Sequence, residues 1–381
     1  MTKLQNRVLT GVFLVMIFGC TGASLLKRDT SFSEKENRIL AQMPELNLKD
    51  ILSGTFEKNY ETYLSDQFFW RDGWIGVKTK AERAEGKTEI NDVYFAKDGY
   101  LIEKHSGSFD TDTAKNNITY LGNFLKSQEQ KVGAGHVKAM IVPNAVEILK
   151  DKLPSYAVAD EEGAYLNHIR AQIPEELLFD AEPILDAHKE EQIYYKTDHH
   201  WKTLAARYVY EAWTESIDLP IVPLSEYREE TLTTDFHGTI DAKVNINVPG
   251  DSIERYQPVT EIPYTLTYNH SEERTSLYDT SYLEGRDKYA VFFGGNQPLI
   301  EAKTEAKTDR SLLIIKDSYA NCFLSFAMQD FSQIDIVDLR YFNENLGDYM
   351  KDKDYTDICV LYNAAGFAED SSVAKLALAT D

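Results

Sequence analysis

Asp198, His199 and His200 bring a carboxylate and two imidazoles into three consecutive positions, and Trp201 follows directly. An acid beside an imidazole can orient a general base, and such pairs cluster at functional sites. In an extended segment, residues two apart point to the same side, so the Asp198 carboxylate can reach the His200 ring while His199 points the other way. The stretch Tyr194–Ala205 therefore predicts a functional centre. The structural alternative is that His199 or His200 is a satisfied structural histidine.

Ser318 is the second residue whose setting suggests chemistry. An apolar run, Leu312–Ile315, leads into Lys316, Asp317 and Ser318, and helical periodicity begins after them. Ser318 is thus predicted at a strand end and a helix start, where α/β sheets bind ligands and helix N–H groups can hold an oxyanion. A serine there becomes a nucleophile when an imidazole takes its proton and a carboxylate orients that imidazole. The structural alternative is that Asp317 and Ser318 cap the helix that starts at Tyr319.

The elements that must position these residues alternate between short apolar runs and amphipathic segments. Ile118, Leu121 and Leu125 have helical spacing, for example. We predict strands at Lys138–Val142, Gln192–Tyr195, Ala290–Phe293, Leu312–Ile315, Ile334–Val337 and Ile358–Leu361. Short apolar strands between helices are typical of an α/β fold with a mostly parallel sheet that is covered on both faces. Proline and glycine interrupt shorter β-like pieces between them, and we interpret residues 218–288 as a β-rich insertion beside the site.

The N-terminal segment differs from the rest of the chain. It carries Lys3 and Arg7, no acidic residue, and the apolar run Val8–Leu26, which is the pattern of an export signal. The run approaches the roughly 17–25 residues that a spanning helix needs, so it is either a signal anchor or a cleaved signal peptide, and lipidation of Cys20 is a further alternative. Both main alternatives place the body outside the cytoplasm. We divide the chain into this segment (1–28), a linker with a helical and hairpin extension (29–105), and an α/β domain (106–381).

Composition excludes one class of partner. The 381 residues include 40 basic and 62 acidic side chains, for a net charge of −22. A protein that binds nucleic acid needs a basic face for the phosphates, so we predict no nucleic-acid partner. Beyond the first segment the cysteines are Cys322 and Cys359. They either form a disulfide, as export permits, or stay as two buried thiols.

The segment TDHHW at 197–201, followed by IIKDSYAN at 314–321, resembles the DHHW proteins. These are similar to alginate O-acetylation proteins and peptidoglycan O-acetyltransferases that have an SGNH-hydrolase-like domain with a three-layer α/β/α fold. The resemblance extends over most of the chain, through SEKENRILAQMP, YLSDQFFWRDGW, VPNAVEILKDKLP, DFHG and FFGGNQP. It implies that Asp198 is the orienting acid, His200 the base and Ser318 the nucleophile, and that Trp201 shapes the site.

The resemblance also suggests residues that bind the substrate or the oxyanion. FFGGNQP is similar to the part of SGNH-like sites that supplies oxyanion donors, which implies the Gly295 N–H and the Asn296 side-chain amide; an ordinary glycine turn is the alternative. His199 is expected beside the substrate. One departure concerns Lys316, which occupies the position of a glycine in common SGNH esterases. A bulky residue there is expected to alter the oxyanion site or leave it inactive.

Three hypotheses about function follow. The favoured one is an extracytoplasmic O-acyl (acetyl) transferase or esterase that acts on cell-surface polysaccharide, and the resemblance implies a membrane-bound O-acyltransferase partner that supplies the acyl group. The second is a non-catalytic carbohydrate-binding or scaffold protein. The third is a metal-dependent phosphoesterase, because an Asp-His-His run is also the signature of that class and its side chains bind transition metals. No companion Asp-x-Asp motif or further cluster of histidine and aspartate lies at the end of a nearby predicted strand, so we predict no metal and no cofactor.

Overall fold

The structure, a computed structural model, describes residues 2–33 and 38–380. The chain divides into two compact units, Met1–Lys87 with Asp241–Asn247, and Thr88–Ile240 with Val248–Asp381. Compactness does not show which segments fold independently, so the domain boundaries at residues 28 and 105 stay a prediction.

The smaller unit is mostly helical. Its helices are α1 (Lys3–Leu26), α2 (Leu48–Ser53), α3 (Thr55–Gln67) and α4 (Arg71–Ala84), and its two short strands are β1 (Phe32–Ser33) and β2 (Arg38–Ile39). Within the described residues, α1 is the one helix long and apolar enough to cross a membrane, with a mean hydropathy of 2.0. None of its side chains is buried against the described chain. α1 could therefore be a signal anchor or a signal peptide.

The larger unit combines strands and helices. Its strands are β3 (Glu89–Ile90), β4 (Val93–Phe95), β5 (Leu101–Glu103), β6 (Val137–Val142), β7 (Tyr227–Phe236), β8 (Asp251–Pro258), β9 (Tyr264–Tyr268), β10 (Glu272–Arg274), β11 (Leu299–Thr304), β12 (Ser311–Lys316), β13 (Gln333–Val337) and β14 (Asp357–Asn363). Its helices are α5 (Asp112–Val132), α6 (Ala145–Ile148), α7 (Asp160–Gln172), α8 (Glu182–Ala187), α9 (Thr203–Glu215), α11 (Ala320–Ala327), α12 (Leu346–Met350) and α13 (Ala364–Glu369). The chain passes between the units within α10 (Thr239–Val244).

A mixed seven-stranded sheet, in the order β10-β9-β11-β13-β12-β14-β6, is the centre of the larger unit. The four strands β13, β12, β14 and β6 are parallel to one another, whereas β11, β9 and β10 add on by antiparallel pairing. The expectation of a mostly parallel sheet is wrong on this side. Strands β9 and β10 form a hairpin whose turn residues Asn269 and His270 have positive φ angles, and a tight turn can join only antiparallel strands.

Both faces of the parallel strands are buried. Leu312 and Ile314 of β12 pack in one apolar core with side chains of α9 and α11. Leu313 and Ile315 pack in a second core with side chains of α5, α7 and α13. A strand that is buried on both faces needs apolar residues at successive positions, which explains the unbroken run that predicted it.

Two predicted strands are wrong. Gln192–Tyr195 contributes only an isolated antiparallel bridge between Tyr194 and Trp201. In Ala290–Phe293, the first two residues end a turn of 3-10 helix, Lys288–Val291, and Phe292 makes only an isolated bridge with Tyr278. A short apolar run looks the same in a buried turn and in a buried strand, so periodicity could not separate them.

The segment 218–288 is rich in strands, as predicted, but it is an insertion only in part. β7 and β8 form a separate two-stranded ribbon. β9 and β10 instead belong to the main sheet. The pairing partner that decides this, β11, lies beyond the segment and was not predicted.

Cys322 in α11 and Cys359 in β14 are free thiols, and both are buried. Of the two alternatives left open by the sequence, the structure has the thiols. Burial raises the pKa of Cys322 to about 12, so this side chain is a poor nucleophile at neutral pH.

Candidate active site

The turn after β12 holds Ser318 between the sheet and α11. The Asp317 side chain stabilises this turn. Its Oδ1 accepts a hydrogen bond from the Tyr319 N–H at 2.9 Å. Its Oδ2 accepts hydrogen bonds from the backbone N–H and the side-chain amide of Asn363 at 2.8 and 2.6 Å. The alternative role of a structural cap thus applies to Asp317. The Ser318 hydroxyl is left to make a different contact.

The loop that carries Asp198 and His200 is closed by Asp251 of β8. The Asp251 carboxylate accepts the backbone N–H groups of Lys196 and Thr197 at 2.8–3.0 Å and the Thr197 hydroxyl at 2.7 Å. A carboxylate that caps successive N–H groups fixes the turn that follows. The sequence did not single out Asp251, because α9, β7 and α10 lie between Thr197 and Asp251 in the chain.

Ser318, His200 and Asp198 lie in one hydrogen-bonded row. The His200 Nε2 is 2.8 Å from the Ser318 Oγ, and the His200 Nδ1 is 2.5 Å from the Asp198 Oδ1. The three residues are 9%, 6% and 3% exposed. Because the Asp198 carboxylate accepts, it selects the tautomer with the proton on Nδ1, and Nε2 is then free to accept the Ser318 hydroxyl proton.

The Asp198 carboxylate accepts two hydrogen bonds on each oxygen. The His200 N–H and Nδ1 reach Oδ1, and the Thr239 N–H and hydroxyl reach Oδ2 at 3.0 and 3.3 Å. Burial alone would raise the pKa of Asp198, but the His199 and His200 rings and the hydrogen bonds from His200 lower the pKa well below its usual range. Asp198 is therefore ionised at neutral pH.

Gly238, the last residue of the DFHG segment, packs against Asp198, which gives a structural reason for glycine at this position. A Cβ at this position would lie 2.2 Å from both the Cβ and the Oδ2 of Asp198. The Gly238 N–H also donates to the Thr197 hydroxyl at 3.2 Å. The backbone at residue 238 thus packs directly against the acid, and a side chain is excluded there.

Burial and, to a smaller extent, the neighbouring His199 lower the pKa of His200 to about 4, although Asp198 opposes the change. The ring stacks on Tyr289, with 3.8 Å between the ring centroids. The Tyr289 hydroxyl donates to the Ser318 carbonyl at 3.2 Å. His200 is therefore neutral and rigidly held at pH 7, which suits a general base.

His199 does not point away from the acid, contrary to the expectation from an extended chain. Its Nδ1 is 2.8 Å from the Thr239 Oγ1 and 3.7 Å from the Asp198 Oδ2, and its ring centroid is 3.9 Å from that of His200. The expectation failed because the segment is a turn and not a strand. His199 packs beside the row and shares Thr239 with Asp198.

Asp198, His199 and His200 also form the kind of group that can hold a metal ion, since their ligand atoms lie within 4.8 Å of one another. Each imidazole nitrogen that faces the row already has a hydrogen-bond partner. A bound ion would have to displace the His200 contact with Ser318 or with Asp198. The arrangement fits a serine hydroxyl as the partner of His200 better than it fits a metal.

Trp201 is completely buried and connects the two loops. Its Nε1 donates to the Tyr319 carbonyl at 2.9 Å, and its ring stacks on Tyr319. The Tyr319 hydroxyl donates in turn to the His199 carbonyl at 2.6 Å. Trp201 therefore supports the site from the core side.

The two oxyanion donors suggested by the sequence are held differently. The Gly295 N–H donates to the Phe292 carbonyl at 3.1 Å, so it is engaged in a turn. The Asn296 Oδ1 faces Lys316 Nζ at 3.3 Å and the Asn321 side-chain amide at 3.4 Å. Within the described chain the Ser318 N–H makes no hydrogen bond.

Lys316, the residue that departs from the SGNH pattern, is buried beneath the site. Its Nζ donates to the Asn321 Oδ1 at 2.8 Å and lies 3.6 Å from the Asp338 Oδ2. Burial lowers the pKa of Lys316. The side chain is occupied by these partners and by Asn296, and the contact between Ser318 and His200 is intact beside it.

A sequence profile of the DHHW proteins matches residues 108–337, a span of more than half the chain that contains the whole row. A search of curated proteins returned no match.

The chain is similar to several solved structures, and the first two described here share its fold. A DHHW family protein from Eubacterium siraeum DSM 15702 is similar with a TM-score of 0.60 and 27% identity, over 75% of this chain and 95% of that one. Bacillus cereus PatB1, solved with a sulfonyl adduct, is similar with a TM-score of 0.59 and 18% identity, over 74% of this chain and 97% of PatB1. The O-acetyltransferase domain of Pseudomonas putida AlgJ is less similar, with a TM-score of 0.45 and 13% identity over 73% of this chain and 92% of that one.

Proposed function

The chain belongs to the DHHW protein family, and on that premise we propose that it is an extracytoplasmic, serine-dependent O-acyl (acetyl) transferase or esterase that acts on cell-surface polysaccharide. The observation that carries the proposal is the row in which His200 lies 2.8 Å from the Ser318 hydroxyl and 2.5 Å from the Asp198 carboxylate. A neutral imidazole between a serine and an ionised acid activates the serine as a nucleophile.

The first half-reaction forms an acyl-enzyme. Ser318 Oγ bonds to the carbonyl carbon of an acyl donor while its proton passes to the His200 Nε2. The tetrahedral intermediate then collapses, the bond to the donor oxygen breaks, and the leaving group takes the proton from His200. Asp198 holds the imidazolium in orientation and stays ionised throughout.

The second half-reaction returns the enzyme to its starting state. A hydroxyl of a sugar, or water, gives its proton to the His200 Nε2 and bonds to the acyl carbon. The Ser318 Oγ leaves and recovers the proton. The acceptor alone distinguishes transfer from hydrolysis, because both use the same three side chains.

The developing oxyanion needs donors. The backbone N–H of Ser318 makes no hydrogen bond within the described chain, and it precedes α11, whose aligned N–H groups favour negative charge. We propose this N–H as one donor. We propose the Asn296 side-chain NH₂ as the second donor. The Lys316 ammonium can only donate, so it binds the Asn296 Oδ1, and the NH₂ group of Asn296 then points away from Lys316.

The cellular setting belongs to the same proposal. α1 retained as an anchor, or removed as a signal peptide, leaves the site outside the cytoplasm, where cell-surface polysaccharide is the acceptor. A membrane-bound O-acyltransferase partner would supply the acyl group. The two buried faces of the parallel strands support an SGNH-like three-layer arrangement.

The proposal is tested by trapping the acyl-enzyme. Incubation with p-nitrophenyl acetate should release p-nitrophenol and leave one acetyl group on Ser318, detected by peptide mass spectrometry, and a sulfonyl fluoride should label the same residue. Ser318→Ala should abolish both signals. Ser325→Ala is the matched control, because this buried serine of α11 donates to the Cys322 carbonyl and lies outside the row.

The opposite result has a definite meaning. Equal p-nitrophenol release by the natural chain and Ser318→Ala, with no label on Ser318, would favour a non-catalytic carbohydrate-binding scaffold. If the label forms, adding an oligosaccharide separates the two activities. Acetyl transfer to the sugar identifies a transferase, and release of acetate alone identifies an esterase.

A further inference from the structure

Three consecutive aromatic residues, Phe68, Phe69 and Trp70, are exposed between α3 and α4 of the smaller unit. They are 38%, 43% and 59% exposed. Large apolar side chains grouped on a surface mark a contact with a partner or a membrane. We call these three residues the aromatic ridge.

The Trp70 ring is held in place although it is exposed. Its backbone adopts the left-handed conformation, with φ at 54°, which is unfavourable for a bulky residue. A Cβ on Gly73 would lie 2.1 Å from Cε2 of the indole, so the ring lies flat on the bare Gly73 backbone. Trp74 contacts it edge-on at 5.6 Å. The local structure thus fixes an indole that faces outward.

The aromatic ridge adjoins the end of α1. The Phe69 N–H donates to the Ser24 Oγ at 2.9 Å, and Ser24 is in the last turn of the helix. Leu25 and Leu26, which end it, are 82% and 88% exposed. The ridge therefore continues the apolar surface of the helix that is long and apolar enough to cross a bilayer.

We infer that the aromatic ridge is a second membrane contact, which rests in the interfacial layer of the same phospholipid bilayer that α1 enters. Tryptophan favours this layer because its ring is apolar and its N–H is polar. The ridge orients the smaller unit on the membrane where α1 alone would let it rotate. The inference concerns residues outside the catalytic row and does not depend on the acyl chemistry.

The tryptophans of the chain make a direct test possible. The four are Trp70, Trp74, Trp201 and Trp213. Trp201 and Trp213 are buried, and α1 contains none. The full-length protein is reconstituted in phosphatidylcholine vesicles in which a fraction of the lipid carries bromine on the upper acyl carbons, and tryptophan fluorescence is measured with and without that lipid.

We expect the brominated lipid to quench the fluorescence, and Trp70→Phe to remove most of that quenching. Gly73→Ala should reduce it as well, because the added methyl group displaces the indole. Gly22→Ala is the matched control: it adds the same methyl group to α1, where nothing lies within 4 Å, and should leave the quenching unchanged.

Two outcomes would overturn the inference. Quenching of Trp70 by aqueous iodide and not by the lipid would show that the ridge faces water. Protection from both quenchers would show that another protein, or a second copy of this chain, covers the ridge. Acyl-enzyme formation can be measured on the same samples, so failure of this inference and failure of the proposed function are distinguishable.

Discussion

Replacing Gly238 with alanine should disable the candidate active site without altering Ser318, His200 or Asp198. The new Cβ would lie 2.2 Å from the Cβ and the Oδ2 of Asp198, and 2.5 Å from its Cγ. The Asp198 Cβ is attached to the backbone of a buried loop, so it cannot move away as the end of a long side chain could. The φ angle of Gly238 is not in the left-handed region, so alanine causes no backbone strain there.

The magnitude follows from what Asp198 contributes. Displacing its carboxylate removes the contact with the His200 Nδ1, now 2.5 Å, and releases the imidazole to the wrong tautomer. In the Ser-His-Asp template, loss of this orientation costs about 10⁴ in kcat. Partial displacement should lower kcat by about 10²–10⁴, or roughly 3–6 kcal/mol of transition-state stabilisation at about 1.4 kcal/mol per tenfold. kcat and kcat/KM should fall together, because the contact acts in the transition state.

The assay is a double-mutant cycle on ester hydrolysis. Asp198→Gly removes the atoms that the new methyl group would meet, so Gly238→Ala should cost almost nothing more in that background. Gly285→Ala is the control, because its nearest neighbour, the Tyr282 carbonyl, would be at an ordinary 3.5 Å. Circular dichroism of all variants checks that they are folded.

Full activity of Gly238→Ala would refute the reasoning, since the carboxylate would then not be needed where the structure has it. An equal loss in the natural and the Asp198→Gly background would also refute it. The alanine would then act through something other than the acid.

Three further predictions follow from the same contacts. Because burial lowers the pKa of His200 from 6.5 to about 4, the base is neutral above that value, and kcat/KM should show its acid limb near pH 4; a limb near 6.5 would contradict this. Thr239→Val removes the hydroxyl contact with Asp198 but keeps the N–H contact. We expect kcat to fall about tenfold, which corresponds to the free energy of one hydrogen bond, and the kcat of Thr239→Ser to be unchanged. Lys316→Met leaves the buried Asn321 oxygen without its donor at 2.8 Å and should lower the free energy of unfolding by about 1–3 kcal/mol in urea titrations, while unchanged stability would show that the ammonium is not needed there.

The local elements of the parallel sheet could be predicted because their signals are local. The runs 139–142, 312–315 and 358–361 are apolar at successive positions, and the run 334–337 is apolar except for the buried Asp335. Each run lies in a strand that is buried on both faces. Ser318 could be assigned to a strand-to-helix turn for the same reason. The apolar character of α1 could also be predicted, since it depends on composition alone.

The antiparallel side of the sheet could not be predicted in this way. Pairing between β9 and β11 joins Leu266 to Ala302, and no periodicity within either segment specifies the other as its partner. The apolar run at 290–293 predicts a strand that the structure does not have, because a buried turn and a buried strand both need apolar residues.

For the site, the sequence by itself determined the residue types: an acid and an imidazole two positions apart, a serine at the end of a strand, and the resemblance to the DHHW proteins. Only the tertiary structure decided that Ser318 contacts His200 and that Asp251 closes the loop before Asp198. It also decided that the absence of a side chain at Gly238 leaves space for Asp198, and that the Gly295 N–H donates within a turn. Most of these contacts join residues that are far apart in the chain, and the contact of Gly295 depends on the exact geometry of a turn. They depend on how the elements pack, and packing is a property of the whole fold that no short pattern contains.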